Sequence, residues 1–405
     1  SVTLDNGARG VASVAAGAST GTFEAHALFD GNGDIYHGMG VTKAVDNVND
    51  SIAEALVGQS AVDQAQVDEI LTDLDSSPNL SEIGANAVLG TSLAVARAAA
   101  DASNQPLYRY LGGLQANILP TPIMTMILGG MRADNGLEVE RVMLLPHNFD
   151  DFSEAVRAGL EIRRDLKCVL KGEGLSIDMG VGGGFVPQLG ETSGLPATTQ
   201  ALHYVMEAIR VSSYQPGRQV SLGLDVAASE LLETGDGGYR YDGEILSAEE
   251  LIAVYRELAE DFPLALIQDG MGEEQANDWI ALKEALGAEV RLIGNNVFVS
   301  NDERLQKGIE MNMATGLTVM PNQIGTLTGT LSLIGQAQRA GYAVVISSRY
   351  GETDDPFIAD LAVATGADFI DVNAPVGINV TKINRLLGIE EQLGSSARFV
   401  GLGEG

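Results

Sequence analysis

The chain has 405 residues, 45% of them hydrophobic, and a formal net charge of −31 at pH 7. The apolar content is sufficient for a large globular core, whereas the negative charge opposes unaided binding to a nucleic acid or to an anionic bilayer. With no basic-then-apolar leader and no apolar run of about 18 residues, we expect a cytoplasmic protein without a membrane span.

Residues 1–115 are predicted to form a smaller α+β domain. Apolar segments with helical spacing run over residues 42–57 and 83–103, and the glycine-rich stretch GASTG at 17–21 is predicted to be a loop. Because the pattern changes afterwards, we place the boundary there and assign residues 116–405 to a second, larger domain.

Beyond about residue 119, short β-branched or apolar runs alternate with helical patterns, which is typical of βα units around a parallel sheet. The runs are PIMTMIL, VERVMLLP, VSLGLDV, LALIQD, RLIGNN, GLTVMPN, AVVISSR and DFIDVNA. Eight runs predict a closed barrel. Since the first two runs are adjacent and helices begin only near Phe152, the predicted order is ββαα(βα)6 rather than (βα)8.

Polar side chains follow most of these predicted strands. They are Asp225, Gln268 with Asp269, Asn295 with Asn296, Asn322 with Gln323, Ser348 with Arg349, and Asp371 with Asn373. In α/β barrels the carboxyl ends of the strands converge on one mouth, where the chemistry takes place. Polar residues are also ordinary loop caps at strand ends, so this pattern alone leaves both a functional site and simple capping open.

Six stretches resemble the enolase family, in that family's order and spacing. They are GASTG (17–21), GANAVLGTSLAVARAAA (84–100), LDVAASE (224–230), NQIGTLTGT (322–330), SSRYGETDD (347–355) and GIEEQLG (388–394). The resemblance covers nearly the whole chain. It implies an enolase-type ββαα(βα)6 barrel with a small N-terminal capping domain. It also implies the magnesium-dependent glycolytic lyase reaction that interconverts 2-phosphoglycerate and phosphoenolpyruvate.

The resemblance implies three carboxylate ligands for the first magnesium ion, at the positions that Asp225, Gln268 and Asn295 occupy here. Only one of the three is a carboxylate. Mg²⁺ prefers anionic oxygen and retained water, so two neutral amides are poor replacements. We therefore expect magnesium binding to be weak or absent, and no other cofactor. Amides at these positions also remove the repulsion that clustered carboxylates have without a metal.

The proton-transfer positions that the resemblance implies are replaced as well. Met320 stands at the position of the base lysine and Asp371 at that of a second lysine. Val181 and Gly182 stand at the positions of the two carboxylates in the motif that carries the acid. Neither Met320 nor Asp371 is a lysine, and neither Val181 nor Gly182 can carry a proton.

The substrate-facing positions follow the same trend. Two histidines are replaced by Ser348 and Arg132, and a glutamine–glutamate pair is replaced by Glu140 and Arg141. Arg349 and Ser19 remain at positions that, as the resemblance implies, contact the substrate. Tyr350 stands where a serine would touch the phosphate, and we expect its ring to fill that space. New ion pairs of Arg132 or Arg141 with Glu140 or Asp371 are expected to hold the mouth together.

The missing charges favour an enolase homologue that has lost the dehydration of 2-phosphoglycerate and acts by binding or assembly. General acid–base catalysis contributes roughly 10²–10⁴-fold and a metal several kcal/mol, so any of these losses reduces turnover severely. One alternative is an enzyme whose remodelled mouth uses Arg349, Arg132, Asp225 and Asp371 on another small anionic substrate. Another is a chain engineered by charge removal.

The sequence does not name a protein partner. Gly388 occupies the place of an arginine that the resemblance implies in the family's dimer contact, so the corresponding ion pair cannot form. Self-assembly, including a homodimer through apolar contacts, stays open.

Overall fold

The computed structural model shows a closed eight-stranded barrel preceded by a small α+β unit. The structure describes residues 1–15, 17, 23–190, 194–233 and 237–402. Within these ranges, no helix combines the length and the apolar character that crossing a bilayer requires.

In its described residues, the N-terminal unit contains one short antiparallel pair, β1 (Val2–Thr3) with β2 (Arg9–Gly10), and five α-helices. The helices are α1 Thr42–Asn47, α2 Ala53–Leu56, α3 Gln64–Asp73, α4 Ala85–Ala102 and α5 Leu107–Gly112. A π-helical turn, Val48–Ile52, joins α1 to α2. These elements confirm the helical segments predicted over 42–57 and 83–103, whereas the GASTG loop, except for Gly17, lies outside the described residues.

Helix α4 is the buried centre of this unit. Its sequence is rich in alanine, the strongest helix former, and its small side chains permit close packing. Strand β2 lies so near that a Cβ atom on Gly10 would be 1.9 Å from the carbonyl oxygen of Ala94. Only glycine therefore fits at this crossing.

The remaining strands and helices build the barrel and its surroundings. The strands are β3 Ile118–Leu119, β4 Thr121–Leu128, β5 Arg141–Pro146, β6 Val220–Asp225, β7 Tyr239–Tyr241, β8 Glu244–Leu246, β9 Leu264–Gln268, β10 Arg291–Gly294, β11 Gly316–Val319, β12 Ala343–Ile346, β13 Phe369–Asp371 and β14 Arg398–Phe399. The helices are α6 Phe152–Gly172, α7 Ala197–Val211, α8 Ala248–Asp261, α9 Ala276–Leu286, α10 Asp302–Glu310, α11 Pro321–Ile324, α12 Leu327–Arg339, α13 Phe357–Thr365 and α14 Val380–Leu393.

The barrel closes in the order β10-β11-β12-β13-β4-β5-β6-β9. Every predicted run therefore supplies a barrel strand, and the succession β4, β5, α6, α7 confirms the order ββαα(βα)6. Strand β5 pairs antiparallel with both β4 and β6, while the other neighbours are parallel. Because β5 runs in the opposite direction, its first residue, Arg141, lies at the same rim as the carboxyl ends, opposite Asp225.

The interior of the barrel changes from apolar to polar toward this rim. An apolar cluster fills it lower down: Ile123, Met143, Leu145, Leu266, Ile293, Ala343, Val345 and Phe369. Side chains two positions apart on a strand share a face. Arg141, Gln268 and Asp371 each lie two residues nearer the rim than a member of this cluster, so the same inward faces deliver polar groups to the mouth.

Candidate functional site

A cavity of about 180 Å³ opens at the carboxyl-end rim of the barrel. It is lined by most of the site residues predicted from the sequence: Arg132, Glu140, Arg141, Asp225, Gln268, Asn295, Met320, Ser348, Arg349 and Asp371. Gly182 lies beside the cavity against the ring of Tyr350. Ser19 lies outside the described residues. The structure therefore brings ten of the twelve predicted positions into one mouth.

The centre of the site is a buried arginine between two carboxylates. Arg141 donates to Asp225 Oδ2 from Nη2 at 2.7 Å and from Nε at 2.9 Å, and to Asp371 Oδ2 from Nη1 at 2.8 Å. The three side chains are only 6%, 5% and 7% exposed, respectively. This confirms the expected pairing of Arg141 with Asp371 and adds Asp225 as the second partner.

One guanidinium thus serves two buried acids, and their pKa values move in opposite directions. Burial acts to raise the pKa of Asp371, but Arg141 and the backbone N–H of Asn373 outweigh burial, and its pKa is lowered. Burial raises the pKa of Asp225 to about 8, since Glu140 and Asp269 add negative charge that Arg141 only partly offsets. Arg141 therefore favours the ionised form of Asp371 more effectively than that of Asp225.

Gln268 extends this network with neutral groups. Its Nε2 donates to Asp225 Oδ2 at 2.9 Å, and its Oε1 accepts from Thr318 Oγ1 at 3.0 Å. Both ends of the amide are therefore used. A carboxylate at this position could accept from Thr318 but could not donate to Asp225.

The paired amides after β10 are positioned by a neighbouring acid. The backbone N–H groups of Asn295 and Asn296 donate to the carboxylate of Asp269 at 2.8 and 2.9 Å. Burial raises the pKa of Asp269 to about 7, although these backbone donors act to lower it. Asp269 thus anchors the loop and leaves the two amide side chains facing the cavity.

Comparison with known families agrees with the geometry. The enolase N-terminal domain matches residues 1–111, and the enolase C-terminal TIM barrel domain matches residues 116–404. The chain belongs to the enolase family. The family and the fold expected from the sequence motifs are thereby confirmed, and the cavity lies at the barrel rim of an enolase-family protein.

The family implies magnesium at this rim, but the donor set of this enolase-family chain does not fit the ion. Mg²⁺ requires oxygen ligands at about 2.0–2.1 Å. Here N–H groups of Arg141 and Gln268 point at Oδ2 of Asp225, the one remaining carboxylate of the implied ligand set. A cation would have to displace the guanidinium to reach this oxygen, and it would lie beside a positive charge at the other oxygen. Among the described residues, no three His, Cys, Asp or Glu side chains lie together as a metal-ion ligand set.

An aromatic ring covers one side of the cavity in this enolase-family protein. The guanidinium of Arg132 lies over the ring of Tyr350, 4.5 Å from its centroid, and Arg132 Nε donates to Glu140 Oε1 at 2.7 Å. The expected Arg132–Glu140 pair is therefore confirmed. A Cβ atom on Gly182 would approach Tyr350 Cε1 to 2.8 Å, so a carboxylate-bearing residue at 182 has no room beside this ring.

Two ion pairs next to the cavity were not anticipated from the sequence. Arg349 pairs with Glu24 of the N-terminal unit, and the side chain of Glu24 is 1% exposed. Lys382, buried in α14, pairs with Glu352 at 2.6 Å, and Glu352 also accepts a hydrogen bond from Ser348. Glu230 is a further lining carboxylate that sequence reasoning missed, although the motif LDVAASE contains it.

Proposed function

We propose that this enolase-family chain does not dehydrate 2-phosphoglycerate and that it acts by binding or assembly. The observation that carries the proposal is the bridge from Arg141 to Asp225 and Asp371. The lyase chemistry needs a metal pair to stabilise a dianionic intermediate and a base to take a proton. In this chain a guanidinium already occupies the carboxylates, and the implied base position carries Met320, which has no basic group.

The charge balance of the cavity disfavours the alternative of another anionic substrate. All three arginines that line it are already paired, Arg132 with Glu140, Arg141 with two aspartates, and Arg349 with Glu24. A phosphate or carboxylate would have to displace one of these acids to gain a cation. It would also approach four lining carboxylates in a strongly acidic protein.

The direct test is phosphoenolpyruvate formation from 2-phosphoglycerate, followed by absorbance over a wide range of Mg²⁺ concentrations. We expect no turnover above the background of a preparation without the chain. Measurable turnover that scales with protein concentration would refute the proposal.

Magnesium calorimetry on variants tests which residues prevent the binding of Mg²⁺. We expect no saturable heat from the wild-type chain or from Gln268→Glu/Asn295→Asp, because Arg141 still covers Asp225 in the double variant. Adding Arg141→Gln to that pair should create saturable binding. The control Gln306→Glu/Asn384→Asp makes the same charge change at two exposed positions and should show no saturable heat of Mg²⁺ binding. Saturable binding by the wild type would contradict this account.

A further inference from the structure

One polar atom in the cavity has no protein partner. The side-chain oxygen Oδ1 of Asn295 is buried and has no hydrogen bond among the described residues. In the described part of the chain, its Nδ2 makes one hydrogen bond, to Asn296 Oδ1 at 3.5 Å, the outer limit for such a bond. Leaving a buried polar atom without a hydrogen bond costs roughly 1–3 kcal/mol of stability. A ligand that donates a hydrogen bond to Asn295 Oδ1 would remove this cost.

The cavity around Asn295 is polar without a dominant charge. Amide side chains line it at Gln268, Asn295, Asn296, Gln323 and Asn373, together with the hydroxyl groups of two serines. In the lining, Arg132 pairs with Glu140, and Arg141 pairs with Asp225 and Asp371. Arg349 pairs with Glu24 outside the lining, and Glu230 adds one further acidic group. The surface that remains for a ligand consists mainly of neutral donors and acceptors.

From these two observations we infer that the cavity is a binding site for a small neutral polyol, a molecule of three to six carbons bearing several hydroxyl groups. This inference rests on the proposed function, because it assigns a ligand to the mouth that has lost its metal chemistry. A hydroxyl group both donates and accepts, so it satisfies the terminus of Asn295 in either orientation of the amide. A phosphate can donate a hydrogen bond to the acceptor Oδ1 of Asn295 only if the phosphate carries a proton.

The size of the cavity is consistent with this class of ligand. An apolar cavity of roughly 150 Å³ accommodates benzene, and this one measures about 180 Å³. Because the lining here is polar rather than apolar, the matching ligand is a hydroxylated molecule of similar volume instead of a hydrocarbon ring.

The test is titration calorimetry of the full chain with glycerol, erythritol and myo-inositol, with sodium phosphate as the anionic probe. Calorimetry is chosen over thermal shift because polyols stabilise most proteins by exclusion from their surface. We expect saturable binding of at least one polyol and weaker or no binding of phosphate. Asn295→Leu should reduce polyol affinity about tenfold, the upper range for one hydrogen bond.

The matched control is Asn384→Leu, the same substitution at an exposed position, which should keep wild-type affinity. Asn296→Leu, in the same lining, provides a second variant if Asn295→Leu does not fold. Absence of saturable polyol binding, unchanged affinity in both lining variants, or tighter binding of phosphate than of every polyol would overturn the inference. The loss of the lyase reaction is tested separately by phosphoenolpyruvate formation, so absence of polyol binding would overturn this inference and leave that part of the proposed function intact.

Discussion

Replacing Arg141 by methionine should destabilise the folded protein strongly, because it removes the cation that bridges Asp225 and Asp371. Methionine keeps an unbranched stem of similar length but no charge. Asp371 would be left as a buried carboxylate without its partner, and Asp225 would lose two of its hydrogen bonds.

The magnitude follows from burial. Unit charges about 4 Å apart attract by roughly 4 kcal/mol at an effective dielectric of about 20, and breaking a buried ion pair costs about 3–5 kcal/mol. The three side chains are at most 7% exposed, so solvent screening is small. We expect a loss of about 3–5 kcal/mol in the free energy of unfolding at pH 7.5.

Urea denaturation followed by circular dichroism measures this loss. Arg157→Met provides the matched control, because Arg157 pairs with Glu154 on the surface of α6 at 58% and 40% exposure, and exposed pairs contribute less than about 1 kcal/mol. The triple variant Arg141→Met/Asp225→Asn/Asp371→Asn should recover most of the loss, since it removes the buried charges along with their partner.

The deficit of Arg141→Met should also shrink toward pH 5. Without the guanidinium, burial raises the pKa of both carboxylates above their unfolded values, so the folded variant takes up protons as the pH falls and gains stability relative to the wild type. A loss below about 1 kcal/mol at pH 7.5, or failure of the triple variant to recover, would refute the reasoning.

Three further predictions concern charge. The free energy of unfolding should fall as the pH rises from 5.5 to 8.5, because Asp225, with a pKa of about 8, and Asp269, with a pKa of about 7, hold protons in the folded state. In the unfolded chain both carboxyl groups lose these protons near the ordinary aspartate pKa of 3.8. Urea titrations across this pH range measure the free energy of unfolding, and a rise with pH would contradict the prediction. Glu24→Gln should increase phosphate affinity severalfold in calorimetry, since it frees the charge of Arg349, and unchanged affinity would show that Arg349 is not limiting. Raising sodium chloride from 0.1 to 1 M shortens the Debye length from about 10 to about 3 Å and so screens the repulsion within this chain of net charge −31. The melting temperature should therefore rise by several degrees, and an unchanged melting temperature would exclude charge repulsion as a limit on stability.

The strand order and the rim positions were accessible from the sequence. Apolar runs such as GLTVMPN and DFIDVNA coincide with β11 and β13, because buried parallel strands read as short continuous apolar segments. Residues just beyond such runs, among them Gln268 and Asn295, must lie at the carboxyl-end rim once the barrel closes. Their chemical identity, with amides in place of acids, is a property of the sequence alone.

The partners of these residues were less accessible. Arg132 and Glu140 are close in sequence, and their pairing was expected. Glu24 and Arg349 are 325 residues apart and belong to different domains, so no local pattern connects them. Lys382 likewise gives no signal in the sequence that it pairs with Glu352 beneath Ser348. Hydrogen-bond satisfaction at Asn295 also depends on neighbours that only the folded chain supplies.

Composition and periodicity by themselves determined that this is an acidic α/β barrel, and the resemblance of its motifs indicated the enolase type and the changed set of mouth residues. Tertiary structure decided what those residues do with one another. Arg141 is 84 residues from Asp225 and 230 from Asp371. It meets both because β5 runs antiparallel to its neighbours and the register sets its first residue opposite the last residue of β6. Strand direction and register arise from the packing of the whole barrel, and no single segment of the chain contains them.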